Sequence, residues 1–132
     1  MILMPHITLL YAALLTVLLL ALIFRIVYLR WTLRIGIGDG GDRVMVRAVR
    51  AHGNFIETAP WALVLMLLVE MTGAATVPML HVYGCILLAG RCLHAYGVSR
   101  SGGPSFGRMA GIILTLLTFM AGAMLCAKNY FL

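Results

Sequence analysis

The stretch that decides the fold is Arg43–Pro60, RVMVRAVRAHGNFIETAP, which runs directly into Trp61–Val69, WALVLMLLV. At about 100° per residue on a helix, Arg43, Arg47, Arg50, Asn54 and Glu57 fall within roughly 80° of one another. Three guanidiniums, an amide and a carboxylate thus share one polar stripe at the entrance to a segment suited to hydrocarbon. A charge at the centre of a bilayer costs about 2.5–3.5 kcal/mol on insertion scales, so such groups normally face protein or a wet cavity. Arginines in the first turns of a helix also oppose the positive end of its dipole. An anion held among them would offset both costs. The stripe therefore reads as an anion-binding site.

Composition agrees with a membrane setting. Of 132 residues, 63% are hydrophobic and 11% charged, with a mean hydropathy of +1.04. A soluble domain would carry about a quarter charged residues. The length suits one domain, 1–132. A net charge of +6 raises the question of nucleic acid. The basic residues gather on one side of the expected topology, which points to membrane orientation plus an anion site, and no nucleic-acid partner is expected.

Four apolar segments follow in order. Ile7–Phe24 is almost unbroken, closed by Arg25 and Arg30. It lacks a basic n-region and a small-x-small cleavage pattern, so a retained transmembrane helix over about 6–30 is expected rather than a signal peptide. Arg25 shares a face with Tyr11, Leu14, Leu18 and Ala21. It can snorkel to the interface or point into the bundle, and snorkelling is the simpler expectation. Trp31–Asp42, WTLRIGIGDGGD, is a glycine-rich turn with Asp42 placed to cap the next helix. It has neither the ligand spread of a calcium loop nor the Lys-Ser/Thr of a phosphate loop.

The second helix is expected over about 43–72, kinked by Pro60 and closed at Gly73, with Glu70 as an interfacial residue. His52 projects opposite the stripe, where a helix–helix hydrogen bond suits it better than a ligand role. The third spans about 78–98 and carries Arg91 and His94 on one face. Cys85, Cys92 and Cys126 show no CxxC and no zinc spacing, so no metal is expected and they read as small apolar core residues. The fourth spans about 107–131, and its Gly111, Thr115, Thr118 and Gly122 form a seam suited to close helix packing. The fold class is an all-α four-transmembrane-helix bundle.

Arg25, Arg30, Arg34, Arg43, Arg47 and Arg50 flank the first loop, and Arg100 and Arg108 flank the third. The positive-inside rule then places both loops in the cytoplasm and both termini on the periplasmic side. Every candidate residue (Arg30, Arg34, Arg47, Arg50, Asn54, Glu57, Arg91, His94, Arg108) lies on or near the cytoplasmic side.

Arg47-x-x-Arg50-Ala51-His52-x-Asn54-x-x-Glu57-x-x-Pro60, with Gly90-Arg91-x-x-His94, resembles the MAPEG family, the membrane-associated proteins of eicosanoid and glutathione metabolism. The resemblance covers nearly the whole chain. It is greatest to short bacterial members, which share the GDGG connector and a segment like LLAGRCLHAYG. It implies a left-handed four-helix protomer, a homotrimer in the bacterial inner membrane, and glutathione bound between subunits on the cytosolic side as cosubstrate. By position, Arg50, Asn54 and Glu57 would hold the glutamyl end and backbone of the tripeptide, with Arg47 in the same stripe. Arg91 and His94 would brace the pocket, Arg30 or Arg34 would close it from helix one, and Arg108 would face the sulfur as the catalytic residue.

The chemistry suits those side chains independently. Arginine grips carboxylates bidentately, and a guanidinium beside a thiol lowers its pKa and raises the thiolate fraction. A glutathione transferase acting on hydrophobic electrophiles dissolved in membrane lipid, with peroxidase activity as an extension, is the leading expectation. The alternative is a non-enzymatic membrane protein that binds glutathione or a lipid anion. That reading draws on a departure from the family: Met109 and Ile112 stand where the eicosanoid-making branch has Ser and Tyr, and Val98 replaces a helix-three Tyr. A small exporter fits less well, because helix one carries no acid.

Overall fold

The computed structural model describes residues 4–131. It consists of α1 (His6–Leu33), α2 (Arg43–Met71), α3 (Val77–Arg100) and α4 (Phe106–Phe131), with no strand among the described residues. At 28, 29, 24 and 26 residues the helices are about 36–44 Å long, and each is apolar enough to cross a bilayer.

Local chemistry sets the helix ends. Asp42 caps α2 as its position suggests, its Oδ1 accepting from Val44 N at 2.8 Å and Met45 N at 2.9 Å. At the other end Gly73, with φ +67°, lets Ala74 N reach Val69 O while Gly73 N reaches Glu70 O, a Schellman closure. The helix continues through Pro60 to Met71. α1 runs three residues further than its arginines suggested, to Leu33. Its end is tied down by Arg30, whose Nη1 donates to the carbonyls of Ile35, Gly36 and Gly38.

Pro5 gives the start of α1 no side-chain cap. Glu70 supplies it from across the chain: its carboxylate accepts from Ile7 N at 2.9 Å, Thr8 N at 2.7 Å and Thr8 Oγ1 at 2.6 Å. Glu70 is therefore a buried structural group that closes the start of α1, a role its position near the helix end does not announce. Its charge also complements the N-terminal end of the α1 dipole. Glu70→Ala is expected to lower stability by at least about 1.5–3 kcal/mol, the range for one hydrogen bond to a charged group. An unchanged thermal midpoint in detergent would show that the cap contributes nothing.

Helix partners explain the rest. The start of α1 meets the end of α2, and Arg25 near the end of α1 meets Ser99 near the end of α3, so the helices alternate in direction. α2 and α3 form the central pair; α1 packs on one side of it and α4 on the other, and the backbones of α1 and α4 do not approach each other closely among the described residues. The small-residue seam of α4 is buried throughout. A Cβ on Gly111 would lie 2.5 Å from His94 N and 2.6 Å from Gly90 O, and one on Gly122 would lie 2.9 Å from Leu65 Cβ. Only glycine lets α4 sit this close to α3 and α2, and the close approach at Gly111 draws Arg108 toward His94. Large apolar side chains such as Val17, Phe24, Leu117 and Met120 face outward. In water they would be a liability; against lipid they are the expected surface.

Two expectations fail on packing. Cys85 and Cys92 are exposed and not core residues, whereas Cys126 is half-buried and packs against the core. Cys85 Sγ instead lies 3.1 Å from the buried Tyr11 hydroxyl. Arg25 does not snorkel: it is half-buried and donates to Ser99 Oγ on α3. His52 is half-buried, and its ring makes no hydrogen bond among the described residues.

Candidate functional site

A polar cleft of about 210 Å³ opens where the first turns of α2 meet the end of α3 and the start of α4. From α2 come Val46, Arg47, Arg50 and Asn54; from α3, His94 and Val98; from the following loop, Ser101 and Gly102; and from α4, Arg108. The helical periodicity of α2 puts Arg47, Arg50 and Asn54 on one wall, and the Gly111–Gly90 contact brings Arg108 up to the opposite one. A larger hollow of about 360 Å³ near Met79, Tyr83 and Met124 is apolar. Its two hydroxyls, Tyr83 and Thr118, are already bonded to the carbonyls of Ala62 and Thr115.

Behind the cleft, Arg91 is almost fully buried at 1% exposure. Its Nη2 donates to Asn54 Oδ1 at 2.8 Å and its Nη1 to Thr58 Oγ1, while Thr58 Oγ1 donates to Asn54 O at 2.7 Å. Arginine offers only donors, so the Asn54 oxygen must face Arg91. The amide nitrogen is left to donate into the cleft. Arg91 acts by orienting Asn54 rather than by lining the cavity.

Three buried polar atoms have no partner among the described residues: Arg47 Nε, Arg91 Nε and His94 Nδ1. Buried polar groups are nearly always hydrogen-bonded, so such a cluster marks a place where something else belongs. The four acids of the chain do not fill it. Glu70 caps α1, Asp39 holds Gly41 N, Asp42 caps α2, and Glu57 is exposed outside the cleft. The walls thus carry the charge of Arg47, Arg50 and Arg108, backed by Arg91, and no carboxylate of the chain bonds to any of them among the described residues. Such a site can bind a compact polyanionic ligand and stabilise negative charge on it.

Of the candidate residues, the structure brings together Arg47, Arg50, Asn54, His94 and Arg108, with Arg91 directly behind. It does not bring Glu57, Arg30 or Arg34 to the cleft of the same chain. Arg30 and Arg34 border a separate open hollow beside Trp31, and Arg30 is spent on loop carbonyls. Ser101 and Gly102 were not legible as site residues, since a Ser-Gly-Gly-Pro loop signals a turn and nothing more.

The MAPEG family profile matches residues 8–128. Over 88 residues the chain is 49% identical to inner membrane protein YecN of Escherichia coli strain K12, a match that covers 67% of this chain and 66% of that protein. The same figures hold for YecN of E. coli O6:H1, strain CFT073. The match thus spans just under two thirds of the length of these relatives.

Proposed function

The chain belongs to the MAPEG family and is an integral membrane protein with four spans, and from that premise we propose that its cleft binds glutathione and activates the thiol. The observation that carries this reading is a cleft rich in guanidinium groups with no internal counter-charge. Glutathione brings two carboxylates, a thiol and peptide carbonyls. Arg47 and Arg50 suit the carboxylates, the outward amide of Asn54 suits a carbonyl or carboxylate oxygen, and Arg108 suits a thiolate.

The proposed reaction is thiol transfer to a hydrophobic electrophile that reaches the site from the bilayer. The thiol loses its proton to water, the thiolate stabilised by Arg108 attacks the electrophilic carbon, and the leaving group departs with the bonding pair. With a lipid hydroperoxide the thiolate attacks the terminal peroxide oxygen instead. The O–O bond breaks, the lipid alkoxide leaves with the bonding pair and takes a proton from water to become the alcohol, and a second glutathione thiol attacks the sulfenic sulfur to give the disulfide and water. No protein nucleophile is needed. The site is proposed to face the cytoplasm, with both termini periplasmic, in keeping with the arginines around the first and third loops. A homotrimer is part of the proposal: Glu57, exposed on α2 outside its own cleft, is then available to the ligand amine in a neighbour's site.

One observation favours a non-enzymatic binder of glutathione or a lipid anion. Met109 and Ile112 follow Arg108 where hydroxyls would assist a thiolate. Ser101 is the hydroxyl that the cleft does offer. One experiment addresses both readings. Purified in detergent, the protein is expected at the micelle-corrected mass of three chains and to consume glutathione with an aryl halide or a lipid hydroperoxide. Binding without turnover would select the non-enzymatic reading, and a monomer mass would remove the trimer.

A further inference from the structure

Toward the end of the bundle opposite the cleft, α1 and α3 bring together a tyrosine, a histidine and a cysteine that the thiol chemistry above does not use. His81 and Cys85 stand one turn apart on α3 and share a face. Tyr11 reaches them from α1. Its hydroxyl lies 3.0 Å from His81 O, 3.2 Å from His81 Nδ1 and 3.1 Å from Cys85 Sγ. Gly84 makes the room, because a Cβ there would collide with the Tyr11 ring. Tyr11 is 4% exposed, whereas His81 and Cys85 are exposed on the outer surface of α3. Val82 and Ala89, which flank Cys85 on that surface, are exposed and apolar. Cys85 is eight residues, or about 12 Å, inside the span from Val77.

The hydrogen bonds give the thiol proton one destination. His81 O already accepts the Cys85 N–H of the helix, and the Tyr11 hydroxyl fills its second lone pair. The carbonyl one turn back, where a small hydroxyl or thiol on a helix would otherwise donate, is thus taken. The acceptor left to the Cys85 S–H is the Tyr11 oxygen. As that proton arrives, Tyr11 can turn its own toward His81 Nδ1. A nucleophile, a relaying hydroxyl and an imidazole base therefore stand within hydrogen-bond reach of one another, with the sulfur on the lipid side.

We propose that Cys85 is a covalent modification site for α,β-unsaturated aldehydes or ketones dissolved in the bilayer, with Tyr11 and His81 carrying the thiol proton. The sulfur adds to the β-carbon, the π pair shifts toward the carbonyl, and the proton held by Tyr11 and His81 passes to the α-carbon. An S–C and a C–H bond form, the S–H bond and the C=C π bond break, and nothing leaves. That balance suits the setting. A substitution would release an anionic leaving group into hydrocarbon, where an unpaired charge is costly. The reaction modifies each chain once and does not depend on what the cleft binds.

The test uses the full chain in detergent, with its thiols reduced and trans-2-dodecenal as the probe. Adducts are fixed with borohydride and located by peptide mass mapping over time. Cys92 is the internal control. It is exposed on the same helix, eight residues before Arg100 as Cys85 is eight after Val77, and its thiol makes no hydrogen bond among the described residues. Cys85 should react about tenfold or more faster than Cys92, a modest share of what general acid–base assistance supplies. Tyr11→Phe, which removes only the hydroxyl, should bring Cys85 down to the rate of Cys92, and His81→Ala should slow it in the same direction. Dodecanal, which lacks the double bond, should leave no adduct at Cys85. Equal rates at Cys85 and Cys92 in the wild type overturn the proposal. So does a folded Tyr11→Phe whose Cys85 reacts as fast as wild type or faster. Should neither variant fold, the comparison of the two cysteines within the wild type decides.

Discussion

Arg108→Ala is expected to raise the pKa of the glutathione thiol in the bound state toward about 8.5, its unperturbed value. Each unit regained corresponds to about 1.4 kcal/mol and, below the pKa, to about a tenfold smaller thiolate fraction, so thiol transfer should slow in the same proportion. The reason is positional. Arg108 opens α4 at the cleft mouth, drawn in by the glycine contact at Gly111, and faces the α2 wall that would hold the rest of the tripeptide. If Arg108 holds the ionised sulfur as proposed, tripeptide affinity should change far less than the thiol's ionisation. The competing account is that Arg108 is an exposed anchor reaching lipid headgroups. Thiolate absorbance, titrated against pH with glutathione bound to each protein, separates the two. Superimposable curves would make Arg108 an anchor and favour a binder without chemistry.

Arg50→Ala carries the second large effect, a loss of about 1.5–3 kcal/mol of glutathione binding, the range for charge-assisted hydrogen bonds. Arg50 lines the cleft and its guanidinium is free of any acid of the chain among the described residues, so its charge is available to a ligand carboxylate. His52 serves as the control. It stands two residues further along the same helix, outside the cleft, and His52→Ala should leave affinity nearly unchanged. If calorimetry finds equal losses, the α2 wall is not the binding surface and the loss reports general damage to the helix.

Much of this was legible because local pattern decides it. The four spans follow from apolar runs closed by charges, the Asp42 cap and the Gly73 closure from single residues at helix ends, and the α4 seam from four small residues on one face. The α2 wall was legible as well, since Arg47, Arg50 and Asn54 lie on one helix and the 3.6-residue period alone aligns them. What was not legible depends on which helices become neighbours. Arg25 turns inward because Ser99 of α3 lies within its reach, and Glu70 is buried because the uncapped start of α1 arrives beside it. Arg30 is committed to loop carbonyls by a left-handed turn at Arg34, with φ +54°, that no residue type announced. Cysteine's usual chemistry assigns Cys85 and Cys92 to the core along with Cys126, whereas a membrane protein turns apolar groups outward as readily as inward.

The central claim is that the arginine-walled cleft holds glutathione through its carboxylates. Its most direct test is calorimetric titration of glutathione into the wild-type protein in detergent, repeated at low and high salt. The account predicts saturable binding that weakens as salt rises, because exposed charge contacts at the cleft mouth are screened. A folded protein that shows no saturable binding of glutathione at low salt would contradict it.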